Sequence, residues 1–199
     1  AYGLEKCFQQ QAVSESVFAR IKGKSYKAHC PLPLTDLRYV KVLHCNAEGK
    51  PQLGELLCHK NIATDLVDIF KNLYKAHYRI ERMILIDAYG ADDERSMSAN
   101  NTTCFNFRYV AGTQRLSNHS KGCAIDINPL YNPYVKHSKN GVLHVSPASA
   151  RPFADRSKKF AYKIDTTDLC YREFIRHGFV WGGAWKRSKD YQHFEKKIE

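Results

Sequence analysis

The stretch Ser117–Asp126 reads Ser-Asn-His-Ser-Lys-Gly-Cys-Ala-Ile-Asp, and its pattern decides how the rest of the chain is interpreted. Its last residues alternate as in a β-strand, which points Ile125 towards an apolar core and Asp126 to the opposite face. Gly122 permits a sharp turn just before this strand. The turn would bring His119 back beside Asp126, close enough for both side chains to bind one metal ion.

A second group of potential ligands lies in the stretch Asp190–Glu195, which reads Asp-Tyr-Gln-His-Phe-Glu. Catalytic zinc usually has three protein ligands and one open position for water, and His193 would supply the third ligand. Hydrolysis also needs a carboxylate that takes a proton from water and passes it to the leaving amine. We predict that Asp190 has this role. Glu195 is the alternative, because it shares a strand face with His193.

Together these stretches resemble the zinc motifs of the D-alanyl-D-alanine carboxypeptidase family, which includes vancomycin-resistance D,D-dipeptidases and phage L-alanyl-D-glutamate endolysins. The first stretch has the family spacing Ser-x-His-x-x-Gly-x-Ala-x-Asp. The second follows Trp-Gly-Gly at 181–183 and is most similar to the endolysin branch. That branch usually has Asp after Trp-Gly-Gly, whereas this chain has Ala184, so any role of that carboxylate is absent. The resemblance is strong over residues 80–199 and weak before them.

The resemblance implies one catalytic Zn²⁺ bound by His119, Asp126 and His193, with Asp190 as the general base. It also implies a hydrolase that acts on peptidoglycan stem peptides, as a carboxypeptidase or an endopeptidase, with D-amino acids on at least one side of the cut. Which bond is cut stays open.

The family also uses an upstream arginine to hold the substrate and to stabilise the developing oxyanion. Arg108 is the best match, and its planar guanidinium can give two hydrogen bonds to a carboxylate or an oxyanion. Arg115 is the alternative, because it lies nearer to the first motif in the sequence. We also predict substrate contacts for Asn106, which shares the strand face of Arg108, and for Ser117 and Trp185. A turn-forming role for Ser117 and a packing role for Trp185 are the alternatives.

Helical and extended patterns are mixed without regular alternation, which predicts an α+β fold with a small antiparallel sheet flanked by helices, of the hedgehog/DD-peptidase type. A chain of 199 residues suffices for one domain, and we expect a single zinc peptidase domain over 1–199. Its metal-binding motifs fall within 104–199, and residues 1–80 would supply helices and an edge of the sheet. The spacing of apolar residues predicts helices over 13–21, 62–73 and 167–177, strands over 37–43, 53–58, 82–88, 104–110 and 123–128, and a loop over 89–103.

The net charge of +11 favours an anionic partner, but the Lys and Arg residues are spread along the chain. No basic recognition helix and no aromatic-basic RNA-binding motif is visible, so we expect a solvated basic surface and no nucleic-acid partner. The cysteines are odd in number and lack Cys-x-x-Cys spacing, which disfavours a zinc ribbon or a redox centre. We expect mostly buried free thiols, with one or two disulfides if the protein is exported.

No run of about 18 apolar residues is present, so we expect no membrane span. The chain begins with Ala rather than Met, and a removed export signal would place the protein in the bacterial cell envelope. We expect a monomer. Two other functions compete with the peptidase: an inactive zinc-containing binding protein of the same fold, similar to hedgehog signalling domains, and a basic nucleic-acid-binding domain. The presence of Asp190 and Arg108 argues against the first, and the second does not account for the two motifs.

Overall fold

A computed structural model describes residues 3–198. Its α-helices are α1 (Glu15–Ile21), α2 (Lys60–Lys75), α3 (Asp93–Ser98) and α4 (Leu169–Arg176). Its strands are β1 (Gln9–Ala12), β2 (Leu37–Cys45), β3 (Pro51–His59), β4 (Ala124–Asp126), β5 (Tyr134–His137), β6 (Leu143–Ser146), β7 (Val180–Trp181), β8 (Lys189–Asp190) and β9 (His193–Glu195). Short 3-10 turns cover Leu4–Cys7, Leu34–Asp36, Ile86–Tyr89, Asn118–Lys121, Ala148–Phe153 and Gly182–Ala184.

Within this part of the chain the strands form three antiparallel sheets of three strands each, in the orders β1-β2-β3, β4-β9-β7 and β6-β5-β8. The α+β class is therefore confirmed, although the sequence led us to expect one small sheet. The second sheet joins the two predicted metal-binding stretches, and the third sheet includes the strand that ends at Asp190.

The N-terminal part forms a sheet of its own rather than an edge of another sheet. β2 and β3 pair over their full lengths, from Leu37 opposite His59 to Cys45 opposite Pro51. Helix α2 packs on this sheet through a buried apolar stripe at helical spacing, as the sequence predicts. Its buried members are Ile62, Ala63, Leu66, Ile69, Phe70 and Leu73.

The main core contains residues from both halves of the chain. Phe70 of α2 contacts Phe174 of α4 edge-on, and Phe174 stacks on Phe194 of β9 with ring centroids 4.4 Å apart. Ile125 and Ile127 belong to the same core, which confirms the alternation predicted for the first motif. Burial of the residues on either side of His193 and Asp126 therefore anchors the two ligand-bearing strands in one core.

Two predicted strands are wrong. Residues 82–88 contain one isolated bridge, at Arg82, and the start of the 3-10 turn Ile86–Tyr89. The amide of Asn101 accepts from Ile84 N and donates to Ile84 O in place of a neighbouring strand. Residues 104–110 also form no strand. The N–H groups of residues 105–108 donate in turn to Leu57 O, His119 O, Ser25 O and the Ser120 hydroxyl, so no continuous ladder develops.

The predicted loop over 89–103 contains helix α3. The side chain of Asp92 caps this helix by accepting from Arg95 N at 2.9 Å. Helix α3 has no apolar stripe, and for that reason apolar spacing did not reveal it.

Arg156, in the long segment between β4 and α4, links this segment to the end of β8. The guanidinium of Arg156 donates to Asn132 Oδ1 at 3.0 Å and to Ile164 O at 2.9 Å. It also lies 4.3 Å from the ring centroid of Tyr191, the residue after Asp190. The loop is thereby held against the strand that carries the predicted general base.

All seven cysteines are free thiols, and five of them are buried, as expected for small apolar residues: Cys45, Cys58, Cys104, Cys123 and Cys170. The disulfides considered for an exported protein are not formed. Within residues 3–198, no helix combines the length and apolar character needed to cross a membrane.

Candidate metal centre

The pairing of β4 with β9 brings the two ligand-bearing stretches together. Asp126 lies opposite His193 in this antiparallel ladder, although 67 residues separate them in the sequence. Directly opposed side chains leave the sheet on the same face. Oδ1 of Asp126 and Nδ1 of His193 are accordingly 3.0 Å apart, and both residues are buried.

His119 reaches the same point from the 3-10 turn Asn118–Lys121, which Gly122 ends in the left-handed conformation with φ of 65°. Gly122 is needed for a second reason, because a Cβ atom there would lie 2.7 Å from the backbone nitrogen of His59. That nitrogen donates to Gly122 O at 2.8 Å. The structure thus contains the turn expected from the sequence, docked on the end of β3.

Three ligand atoms converge. Nε2 of His119 lies 3.3 Å from Nδ1 of His193 and 3.3 Å from Oδ2 of Asp126. One ligand atom from each of these residues falls within 4.8 Å of the other two. A tetrahedral ion with bonds of about 2.0–2.1 Å needs ligand atoms about 3.3 Å apart. The spacing therefore fits a zinc ion held by these three side chains.

The outer nitrogen of each imidazole is occupied by an acceptor. Nδ1 of His119 donates to Cys104 O at 2.6 Å, and Nε2 of His193 donates to Oε2 of Glu195 at 2.9 Å. Because these outer atoms carry hydrogens, each ring would present a lone pair on its inner atom once a bound metal ion displaces any proton there. Metal-binding histidines in proteins are typically supported in this way.

The electrostatics of the cluster also favour a positive charge at its centre. Burial alone raises the pKa of Asp126, but the two neighbouring imidazoles outweigh burial and hold that pKa well below its usual range. Burial lowers the pKa of His193, yet hydrogen bonds to Asp126 and Glu195 raise it to about 10. A buried carboxylate between two imidazoles is thus a site that stabilises a cation.

Asp190 lies beside this cluster with an unsatisfied acceptor. Its Oδ1 atom is buried and has no hydrogen-bond partner among residues 3–198. Burial raises the pKa of Asp190 to about 6, and the nearby His193 opposes that rise. A buried carboxylate oxygen without a partner is costly for folding, which is typical of groups retained for chemistry.

The Trp-Gly-Gly stretch makes room for this arrangement. A Cβ atom at Gly182 would lie 2.7 Å from Asp190 O, 2.8 Å from Asp190 Cβ and 3.2 Å from His193 Cβ. Asp190 and His193 therefore leave the backbone side by side, against a residue that has no side chain. A Cβ atom at Gly183 would lie 2.2 Å from the indole of Trp181. Both glycines allow close packing that any larger residue would block.

Arg108 lies next to the metal-binding loop through its backbone. Arg108 N donates to the Ser120 hydroxyl at 2.8 Å, and Ser117 N donates to Arg108 O at 3.1 Å. Arg115 is exposed and stands in the turn that follows Val110. The structure therefore favours Arg108 over Arg115 as a residue near the candidate centre.

The other predicted substrate contacts occupy different settings. Ser117 is buried, and its hydroxyl accepts from His119 N at 3.3 Å, the turn-forming role. Trp185 is half-buried, with its ring centroid 5.3 Å from that of His193. Asn106 is buried, and its amide donates to Ala91 O at 3.2 Å. Of these three, Trp185 contacts the side chain of a predicted metal ligand, whereas Ser117 and Asn106 bond to the backbone of His119.

Residues 111–196 match the family model described as D-alanyl-D-alanine carboxypeptidase. Over this stretch the chain is similar to the D-alanyl-D-alanine carboxypeptidase family. The match covers all three converging ligands and Asp190, whereas Arg108 lies just before it. Searches of curated proteins and of solved structures found no match to the chain. The roles of individual side chains therefore rest on the geometry described above.

Sequence reasoning missed two members of this neighbourhood. Asp93 of α3 contacts both Arg108 and Asn106, and Asn118 contacts Glu195. No spacing pattern signals Asp93, because it lies outside both motifs. Asn118 lies inside the first motif, directly before His119. Only this position in the sequence could have indicated a role for it.

Proposed function

We propose that the protein is a zinc-dependent metallopeptidase that hydrolyses the stem peptides of bacterial peptidoglycan. The observation that carries the proposal is the convergence of His119 Nε2, Asp126 and His193 Nδ1 on one point, beside Oδ1 of Asp190, which has no hydrogen-bond partner among residues 3–198. The family match over residues 111–196 supports the same activity and substrate class. A location in the cell envelope belongs to this proposal, because that is where the substrate is found.

In this proposal His119, Asp126 and His193 hold the ion. When bound there, zinc supplies a Lewis acid that activates water and polarises the carbonyl of the scissile bond. Cys104 O and Glu195 keep the two imidazoles in the tautomers that present lone pairs inward.

Asp190 is the proposed general base. Its buried Oδ1 has no hydrogen-bond partner among residues 3–198, so it is available to accept the proton of the attacking water. The same carboxyl group then gives that proton to the nitrogen of the leaving amine as the C–N bond breaks. Glu195 is less suited to this task, because its Oε2 already accepts hydrogen bonds from His193 and Asn118.

Arg108 is the proposed substrate-binding and oxyanion-stabilising residue. Its side chain is about one third exposed, and its backbone is hydrogen-bonded to the loop that carries His119. A fixed guanidinium stabilises negative charge that develops on the carbonyl oxygen during attack. Trp185, packed on His193, is the proposed apolar wall for the substrate.

The test is the hydrolysis of purified peptidoglycan fragments by zinc-depleted and zinc-restored protein, with the products identified by mass spectrometry. We expect no cleavage without metal, and release of a D-amino acid or a stem fragment once zinc is restored. The masses would also identify the bond that is cut. Fragments left intact by fully zinc-loaded protein would contradict the peptidase and favour a zinc-containing binding protein. The His193→Ala variant serves as the matched control, since it should neither retain zinc nor regain activity.

A further inference from the structure

The guanidinium of Arg108 is anchored by an acidic residue outside both motifs. Nε of Arg108 is buried, has no hydrogen-bond partner among residues 3–198, and forms an ion pair with Oδ2 of Asp93, the first residue of α3. The other carboxylate oxygen of Asp93 accepts from the Asn106 amide at 3.1 Å. Asp93 therefore contacts two of the residues predicted to bind substrate.

The terminal nitrogens of Arg108 are not engaged by any protein group within residues 3–198, and the side chain is 31% exposed. An arginine held by Nε alone still presents its two-pronged end, which is the part that suits a carboxylate or an oxyanion. The ion pair thus orients Arg108 without using its ligand-binding end.

We propose that Asp93 is the positioning residue that sets Arg108 for a carboxylate or carbonyl oxygen of a peptide substrate. This inference rests on the proposed function. It goes beyond that function in assigning a role to a side chain that belongs to neither zinc motif.

The need for such an anchor follows from how Arg108 is attached. Its backbone is fixed, because Arg108 N and O bond to Ser120 and Ser117 at 2.8 Å and 3.1 Å. The side chain beyond Cβ has several free torsions, and ordering them on substrate binding costs entropy. An ion pair at Nε orders the side chain before the substrate binds, so less conformational entropy is lost on binding.

Helix α3 is itself well fastened, so it can serve as a rigid support. Asp92 caps its first turn. The carboxylate of Glu94 accepts from Ala148 N at 2.7 Å, which ties α3 to the segment after β6. Ser96 is buried and bonds to the Asn101 amide at 3.1 Å. Asp93 therefore projects from a short helix held on both sides.

Asp93→Asn is the test variant, and Asp92→Asn is its matched control. Both remove one negative charge from the same turn at nearly constant size, and Asn caps a helix about as well as Asp. Of these two aspartates, Asp93 contacts Arg108 and Asp92 caps the helix. Asp93→Asn should lower kcat/KM on a muropeptide about ten- to hundredfold, the scale expected when a positioned group is displaced by about 1 Å. Asp92→Asn should stay within about twofold of the parent protein, on the scale of a surface substitution.

A double-mutant cycle separates positioning from a merely structural effect. In an Arg108→Ala background, Asp93→Asn should add little further loss, because the group it positions is already gone. Zinc affinity should be the same in all four proteins of the cycle. A full additional loss in the Arg108→Ala background, or a drop in zinc affinity with Asp93→Asn, would overturn the proposal.

A second measurement needs no peptidase activity. In the zinc-loaded protein, the Nε–Hε group of Arg108 should give a slowly exchanging NMR signal, assigned by its loss in Arg108→Lys, because this nitrogen is buried against Asp93. Asp93→Asn should speed that exchange at least tenfold, and Asp92→Asn should leave it unchanged. An exchange rate that does not respond to Asp93→Asn overturns the inference. If the protein cuts no peptide, the proposed function fails, and this signal still decides whether Asp93 holds Arg108.

Discussion

Nε2 of His193 lies 2.9 Å from Oε2 of Glu195, and the same carboxylate oxygen accepts a hydrogen bond from Asn118 Nδ2 at 2.7 Å. Asn118 directly precedes His119, so Glu195 links the two segments that carry the metal-binding histidines. The hydrogen bond to His193 holds the pKa of Glu195 below its usual value, and the bond from Asn118 lowers it further. The Glu195 carboxylate is therefore an anion at neutral pH. We interpret Glu195 as a support for His193 rather than as the general base.

Removal of this support should weaken zinc binding. Outer partners of metal-binding histidines typically contribute about 10–100-fold in metal affinity. We expect a loss of this size for Glu195→Ala, and a smaller loss for Glu195→Gln, whose amide oxygen can still accept from His193. The measurement is zinc competition with a chromophoric chelator. Glu48→Ala, at an exposed glutamate, is the control and should bind zinc as the parent protein does. Unchanged zinc affinity in Glu195→Ala together with a large loss of kcat would instead identify Glu195 as the base.

Asp190→Asn should separate proton transfer from metal binding. Asn is close to Asp in size but cannot accept a proton at neutral pH, and general-base catalysis is worth about 10²–10⁴ in rate. We therefore expect kcat to fall by this factor while the zinc content stays at one ion per chain, checked by metal analysis of the same sample. Near-full activity in this variant would exclude Asp190 as the base.

Gly182→Ala should disturb catalysis from outside the reacting groups. The added methyl group would lie 2.7 Å from Asp190 O, so either β8 or the 3-10 turn Gly182–Ala184 must shift. Such overpacking costs about 1–3 kcal/mol of unfolding free energy, and the shift should also lower kcat. Gly3→Ala is the matched control, because a Cβ atom at Gly3 has nothing within 4 Å. Urea unfolding and kcat, measured on both variants, check the prediction. A Gly182→Ala protein with parental stability and activity would show that the close contact relaxes freely.

The sequence was most informative where structure depends on local rules. Gly122 and the alternation around Ile125 depend on residues close in the chain, and both the turn and the buried strand face are present. The helical spacing of Leu66 and its neighbours likewise marks α2. The three converging ligands came from two short motifs, each of which constrains its own backbone.

Local rules fail where a segment takes its hydrogen bonds from distant parts of the chain. Phe105 N bonds to Leu57 O while Asn106 N bonds to His119 O, so residues 104–110 alternate like a strand without being one. Helix α3 depends on its cap and on the contact of Glu94 with Ala148. The role of Asp93 depends on both features, and no pattern within the chain could have indicated it.

His44 should make stability depend on pH in a defined direction. It is buried in β2, and its Nδ1 donates to Ile80 O at 2.7 Å. Burial lowers the pKa of His44 below 6.5, and bonds to the backbone carbonyls of Ile80 and Cys45 only partly oppose this. Because the folded-state pKa is depressed, the unfolded chain takes up the proton first as the pH falls. Its contribution to stability is therefore complete above about pH 6.5 and is lost as the pH falls from there through the folded-state pKa.

A comparison with His44→Gln isolates this contribution from those of the other histidines. Urea unfolding of both zinc-loaded proteins between pH 7.5 and pH 5.5 gives the difference in unfolding free energy at each pH. We expect this difference to shrink towards acid pH, because only the parent protein loses stability through His44. An NMR titration of the His44 ring in the parent protein should independently give a pKa below the unfolded value. A difference that stays constant with pH would mean that His44 titrates alike in both states, and that its burial carries no electrostatic cost.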